Sequence, residues 1–313
     1  MAFTGTSALA DQVIAAYDRS AYFALRAGSV FDQFTKVKPG NVTSPGSSVS
    51  FLFYGELTPT TAVLSETVDV DPVALSDSLV TVTPEERGNA VLTTLKVRTD
   101  SFAIGFDSNV ANLVSYNMVD SLETVCREAY EIAGQTTWVD SLSTDATVQA
   151  TNTIQMNDIR SNIADLRGDS VMPFMGNSFV VVLHPDIEYD LMVETTANAW
   201  GTFVTNAPDS SGEWYAGEVG RAAGAIFAST PRALLNSNAG SSSETDVYTT
   251  YILGDQAMAK AESIPPHIIR GPVTDTLMRF VPLGWYAYLG YGEFRNAALN
   301  RLHSASSIGD NGP

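Results

Sequence analysis

The chain has 313 residues, 44% of them hydrophobic and 10% aromatic, enough to bury a sizeable core in one large domain or two medium ones. Its formal net charge is −18, from 35 acids against 17 bases. That opposes tight wrapping of nucleic acid, which needs clustered Lys and Arg to neutralise phosphates. Cys126 is the only cysteine, which excludes an intrachain disulfide and a thiolate zinc site.

The opening MAFTGTSALADQVIAAYDRS lacks a basic n-region and a long apolar h-region, so no secretory signal is expected. No apolar run approaches the ~20 residues that span a bilayer, and folding in a cytoplasm is the expectation. Residues 1–47 read as an arm. ALADQVIAAYDRSAYFALRAG predicts a modest amphipathic helix, and KVKPGNVTSPGSS a Pro-, Gly- and Ser-rich stretch. Arg19, Arg26, Lys36 and Lys38 make this arm one of the less acidic parts of the chain.

Residues 48–98 predict mostly extended chain. Val49, Phe51 and Phe53 alternate in VSFLF, while LVTVT and VLTTLKVR bracket an expected turn at PEERGN. Between the first two strands lies GELTPTTAVLSETVDVDPVALSDS, far longer than the usual connection of ~4–6 residues, which points to a functional excursion. From Pro39 to Glu86 there are seven acids and no Lys or Arg. A long acidic hairpin cannot bury itself alone, so it either stands in solvent or lies on a neighbouring chain.

The strongest helix signal follows. Val110, Val114, Met118, Leu122, Val125, Ala129 and Ile132 recur at steps of three and four between a capping Ser108 and a terminating Gly134. About 25 residues at ~1.5 Å rise make a rod near 38 Å, roughly twice the typical helix. A second helix is predicted at 151–167. From about 171 the texture becomes mixed α/β. FVVVL predicts a strand buried on both faces, and HPDIEYDLMVETTANA a helix with Pro185 in its first turn. GAIFAST and YTTYILG predict further strands, LGWYAYLGYGEF an aromatic strand followed by NAALNRLHS, and SASSIGDNGP a loose tail.

Candidate chemistry is sparse. Gly217, Gly220 and Gly224 are spaced G-x-x-G-x-x-x-G with no Lys and no Ser or Thr at a metal position, which fits neither a dinucleotide fingerprint nor a P-loop. A short helical turn ended by Gly224 and feeding the strand AIFAS is expected instead. GDSV at 168–171 resembles the nucleophile block of certain serine esterases. Those enzymes also need a late D-x-x-H, and here Val181, Ile264 and Asn300 stand where the acid would precede His184, His267 and His303. No G-x-S-x-G elbow and no H-E-x-x-H occurs. His184, ahead of Pro185, is expected to satisfy a local backbone group. Asp69 with Asp71, and Asp209 with Glu213, do not match an EF-hand loop and read as solvated acids. Trp285, Tyr286, Tyr288, Tyr291 and Phe294 lack interleaved Lys or Arg and read as core and interface packing rather than a base-stacking platform. No catalytic, metal or cofactor residue is assigned.

What remains is the order of parts: arm, long extended loop, long helix, α/β domain, aromatic return strand. VVVLHPDIEYDL, GEVGRAAGAIFAST, PLGWYAYLGYGEFRNAALNRL and, less specifically, MVDSLETVCREAYEIAG carry a resemblance to the major capsid proteins of tailed bacteriophages, the Hong Kong 97-type coat protein. The resemblance covers nearly the whole chain and implies an α+β fold. In it 1–47 are the N-terminal arm, 48–98 the extended loop, 99–170 a peripheral domain with its spine helix, 171–278 an axial domain, and 279–313 the return strand and tail.

Such proteins form hexamers and pentamers that tile an icosahedral shell around packaged double-stranded DNA. The resemblance therefore implies a structural protein with no enzymatic activity, no sequence-specific DNA contact and no membrane, located in a virion assembled in a bacterial host cytoplasm. Scaffolding, portal and decoration proteins are the implied partners. The acidic balance suits a lining that must not hold DNA. Candidate intersubunit contacts are Phe51, Phe53, Glu56, Glu66, Asp69, Asp71 and Asp77 of the loop, received by Arg19, Arg26, Lys36, Lys38 or the arginines between 270 and 301. Some relatives weld subunits through a loop lysine, but no lysine lies between Lys38 and Lys96, so no such weld is expected. A long charged helical scaffolding segment is also missing, so a separate scaffolding protein is expected. An encapsulin-like shell and an unrecognised cytoplasmic α/β enzyme are the other readings.

Overall fold

A computed structural model describes residues 28–39, 48–55, 57–61, 63, 64, 66, 67, 69, 72–100, 106–194, 218–272, 275–277 and 279–308. The helix expected in the arm, with Arg19 and Arg26, lies outside the described residues, as do Glu56, Asp71, Asp209 and Glu213.

The chain runs β1 (Lys36–Pro39), β2 (Val49–Tyr54), β3 (Asp77–Val82), β4 (Glu85–Thr94), α1 (Leu95–Asp100), α2 (Phe106–Ile132), β5 (Gln135–Trp138), α3 (Met156–Gly168), β6 (Phe179–Leu183) and α4 (Pro185–Val193). It continues through β7 (Glu218–Ala222), β8 (Ala225–Ser229), β9 (Leu235–Asn236), β10 (Val247–Leu253), β11 (Met258–Arg270), β12 (Phe280–Glu293) and β13 (Leu299–Ser304). Among the described residues three sheets result. One has the order β1-β11-β12-β4, a second the order β5-β13-β10-β6-β8-β7 with β9 beside β10, and β2 and β3 form a separate ribbon.

The larger sheet holds the main core. Every residue of β6 and β10 is buried, as the apolar run FVVVL requires of a strand covered on both faces. Helix α2 is the strut between this sheet and the four-stranded one. Val110, Val114, Met118 and Leu122 pack on Trp285, Ala287 and Leu289 of β12, while Cys126, Tyr130 and Ala133 enter the core of the larger sheet. One helix thus buries two stripes, and Ile132, the last residue of the periodic pattern, stays 84% exposed. Gly134, at φ +73°, ends the strut. Helix α3 starts at Met156, later than 151, because Gln155 and Asp158 form a reciprocal capping box there.

Other expectations change, beginning with Ser108, which lies inside α2 rather than capping it. The EVGRA stretch, Glu218–Ala222, is strand β7, not a helical turn. Ala222 pairs with Ala225 across a two-residue turn in which Ala223 (φ +52°) and Gly224 (φ +81°) are both left-handed, the geometry that matches strand twist in tight hairpins. PEERGN is no turn, since β4 begins at Glu85 and pairs along β12 from Leu289 to Phe280, and the chain beyond Thr94 turns helical in α1. Residues 258–270, expected with the axial block, form β11 in the four-stranded sheet, and 299–304, expected with the return strand, form β13 in the larger sheet. Sheet membership therefore cuts across the boundary drawn near 278. Finally, α4 ends at Val193, short of the predicted span, and the residues after Glu194 lie outside the described ones.

Ala223 tests the hairpin. A left-handed alanine costs about 1 kcal/mol or more relative to glycine. Ala223→Gly should therefore raise the urea midpoint by the equivalent of ~0.5–1 kcal/mol, and a lowered midpoint would contradict the turn geometry.

Candidate assembly surfaces

The ribbon β2–β3 is anchored at its base and bare at its tip. Phe51 meets Phe294 edge to face and Phe53 meets it at a tilt, with ring centroids 5.0 and 4.5 Å apart, and Val82 packs with Ala259 and Ala261. The base can sit this close because β12 has glycines where it passes. A Cβ on Gly290 would lie 2.4 Å from the Thr83 carbonyl oxygen, and one on Gly292 would lie 2.9 Å from a Val82 methyl.

Beyond the base, Gly55 N–H donates to Ser76 O at 2.7 Å, and the segment between them carries exposed Leu57, Val63, Leu64, Val73 and Leu75. Val63 is 96% exposed. Glu66, Asp69 and Asp77 are exposed on the same excursion. Exposed apolar side chains clustered on a projecting element mark an interaction site rather than a stable free surface.

The opposite partner, the arm, enters the body at residues 28–39. Phe31 plugs the gap between α2 and β10, its ring 5.3 Å from Tyr130 and 5.2 Å from Tyr251. Burying such a ring stabilises by roughly 2–3 kcal/mol. Val30 and Phe31 N–H groups donate to Glu123 Oε1 at 2.8 and 3.0 Å, and Ser29 Oγ donates to Oε2. Next along, Asp32 accepts from Tyr291 at 2.7 Å and pairs with buried Lys260 at 3.0 Å, which also meets Glu262 at 3.1 Å. Burial pulls the Lys260 ammonium down, but Asp32 and Glu262 outweigh it and hold the group above its ordinary range. Burial first, then Asp32 and Glu123, push the Cys126 thiol well up, so it is an inert core group. β1 then runs parallel to β11, Lys36 beside Ala259.

Among the described residues, the expected receiving bases meet different partners. Lys36 lies 3.7 Å from Asp255, and Lys38 is placed in β1. Arg279 pairs with Asp275 at 2.6 Å, Arg295 donates to Asp169 O, and Arg301 donates to Glu131 O and to Thr136 Oγ1. Arg270 is exposed at the end of β11. Glu123, Asp32 and Lys260, which do converge, were not singled out from the sequence. The available signal was an acid in the spacing Val119, Glu123, Cys126, Tyr130, within an otherwise core-facing stripe.

The histidines serve structure. His184 caps α4, its Nδ1 accepting the Asp186 N–H at 3.2 Å, as its place before Pro185 predicts, and burial lowers its pKa against the pull of Asp186. His303 Nδ1 lies 2.6 Å from Asp145, which also accepts from Trp138, and His267 Nδ1 lies 2.8 Å from Pro265 O. Among the described residues no three His, Cys, Asp or Glu side chains gather as a metal site, and no helix is long and apolar enough to cross a membrane. Trp285 packs under α2, its indole N–H donating to Asn117 at 2.9 Å.

No family model matches the chain, and neither does any curated protein. Solved structures do. The capsid of Ralstonia phage GP4 superposes with a TM-score of 0.77 at 13% identity, covering 94% of this chain and 96% of that one. The capsid of cyanophage Pam1 gives 0.72 at 13% identity over 95% and 98% of the two chains. The capsid of Helicobacter pylori bacteriophage KHP30 gives 0.71 at 15% identity over 97% and 99%. Two sheets bridged by one long helix, with an extended ribbon at one side, are thus the fold of phage capsid proteins, and this chain has that fold.

Proposed function

We propose that the chain is the major capsid protein of a tailed bacteriophage, assembling as hexamers and pentamers into an icosahedral shell around packaged double-stranded DNA. The observation that carries this is the end-to-end match: 94–97% of this chain against 96–99% of each of those three capsid chains. The projecting ribbon supports it, because Leu57, Val63, Leu64, Val73 and Leu75 are exposed in the single chain and a second molecule would cover them. The dispersed histidines and buried thiol support a structural role over catalysis. In this proposal residues 1–47 are the arm, the ribbon is the extended loop, α2 with the four-stranded sheet is the peripheral part, and the larger sheet is the axial part. The loop's Phe51 and Phe53 hold its base, while Glu56, Glu66, Asp69, Asp71 and Asp77 meet a neighbour bearing Arg19, Arg26, Lys36 and Lys38. Scaffolding, portal and decoration proteins complete the particle, which assembles in the host cytoplasm.

Negative-stain microscopy of the purified chain tests this: shells or ring-shaped capsomers are expected, and a compact monomer at all concentrations would overturn it. Shell contents then separate a DNA-filled head from a protein-filled compartment. Because the loop carries no lysine, subunits of mature shells should run as one band near 33.5 kDa on a denaturing gel. A ladder of covalent multimers would contradict this.

A further inference from the structure

The junction between arm and body depends on one buried carboxylate. Glu123 has no exposed surface, yet the hydrogen bonds described for it all come from the arm: Ser29 Oγ, Val30 N and Phe31 N. The titratable groups around it are Cys126 and Tyr130 on α2, Asp32 in the arm, Lys260 and Glu262 on β11, and Tyr291 on β12. Lys260 is shared. If the arm withdrew, Lys260 would keep Glu262 as a partner, whereas Glu123 would lose the three arm donors together. A buried carboxylate without donors is far more costly than one with them.

We propose that Glu123 is the positioning residue of the arm, a pin that holds residues 29–31 on the spine helix and fixes where the arm leaves the body. The pin is all-or-none, because two backbone N–H groups converge on a single oxygen, and residue 31 cannot keep its ring between Tyr130 and Tyr251 once they part. Its use during assembly rests on the capsid reading; its existence does not.

Hydrogen exchange of the full-length chain, followed by mass spectrometry, tests it directly, since two of the pinned groups are exchangeable amides. Glu123→Leu removes the acceptor, and exchange in a peptide covering 28–35 should quicken about tenfold or more while the 247–253 strand is unchanged. Glu123→Gln keeps one oxygen for both amides and offers Ser29 an N–H, so exchange should stay within about threefold of the natural chain. Should Glu123→Leu fail to fold, Ser29→Ala still reports, with an expected acceleration of about threefold confined to 28–35. Equal acceleration of both peptides, or none in 28–35, overturns the pin, as does a glutamine variant as fast as leucine. A natural chain that forms no shells while 28–35 stays protected would sink the capsid reading and leave the pin standing.

Discussion

Gly290→Val should abolish shells and destabilise the chain by roughly 3 kcal/mol or more, the upper end of what overpacking costs. The new Cβ would fall 2.4 Å from Thr83 O and 3.0 Å from Pro84 Cα. Both are backbone atoms, so no side-chain rotation relieves the contact. Nor can β12 move away, because Gly290 is paired with Ala261 of β11 and its neighbour Leu289 with Glu85 of β4. Gly292→Ala is the control two residues on, where the added carbon meets a Val82 methyl that can shift, and a loss of about 1 kcal/mol is expected. Urea midpoints of the two variants, with microscopy of any particles, check the contrast. Equal and small effects would show that the ribbon base does not need the close approach.

These glycines also show what sequence could and could not reveal. LGWYAYLGYGEF reads as an aromatic strand, and β12 spans all of it but Phe294, yet nothing local distinguishes a glycine that admits another backbone from one that merely weakens a strand. β6 and α4 were legible because one is a continuous apolar run and the other a Pro-led helix, and β10 because VYTTYIL is rich in β-branched and aromatic residues. β11 was not, since MAKAESIPPHIIR carries poor strand formers and two prolines. It is a strand because β12 pairs with it, and the register shifts between Glu262 and His267 absorb Pro265 and Pro266 as bulges. β7 differs from the expected helical turn because its hairpin turns on a left-handed pair that begins with an alanine, Ala223 then Gly224, which carries no local hairpin signal. Acidic, lysine-free composition exposed the long loop at once, whereas the Glu123 junction needs contacts more than 90 residues apart in the chain.

That loop offers the sharpest separation of folding from assembly. Replacing Gly55–Ser76 by Asn-Gly would join Tyr54 to Asp77, already a cross-strand pair, through the tightest hairpin turn. The described residues among those removed are all exposed, and the ribbon's buried contacts are Phe51, Val82 and their neighbours at its base. Closing a loop about tenfold shorter should stabilise the monomer by up to ~2 kcal/mol. Assembly should fail nonetheless, because Val63, Leu64, Val73 and Leu75, all exposed in the single chain, are lost to the neighbour. A triple variant, Glu66→Gln with Asp69→Asn and Asp77→Asn, keeps those apolar groups and removes only charge. If the loop is steered to a basic arm, that variant should still assemble but lose most of the salt dependence of its assembly rate. Normal shells from the shortened chain would show that the ribbon tip is not an intersubunit contact, whatever its exposure implies.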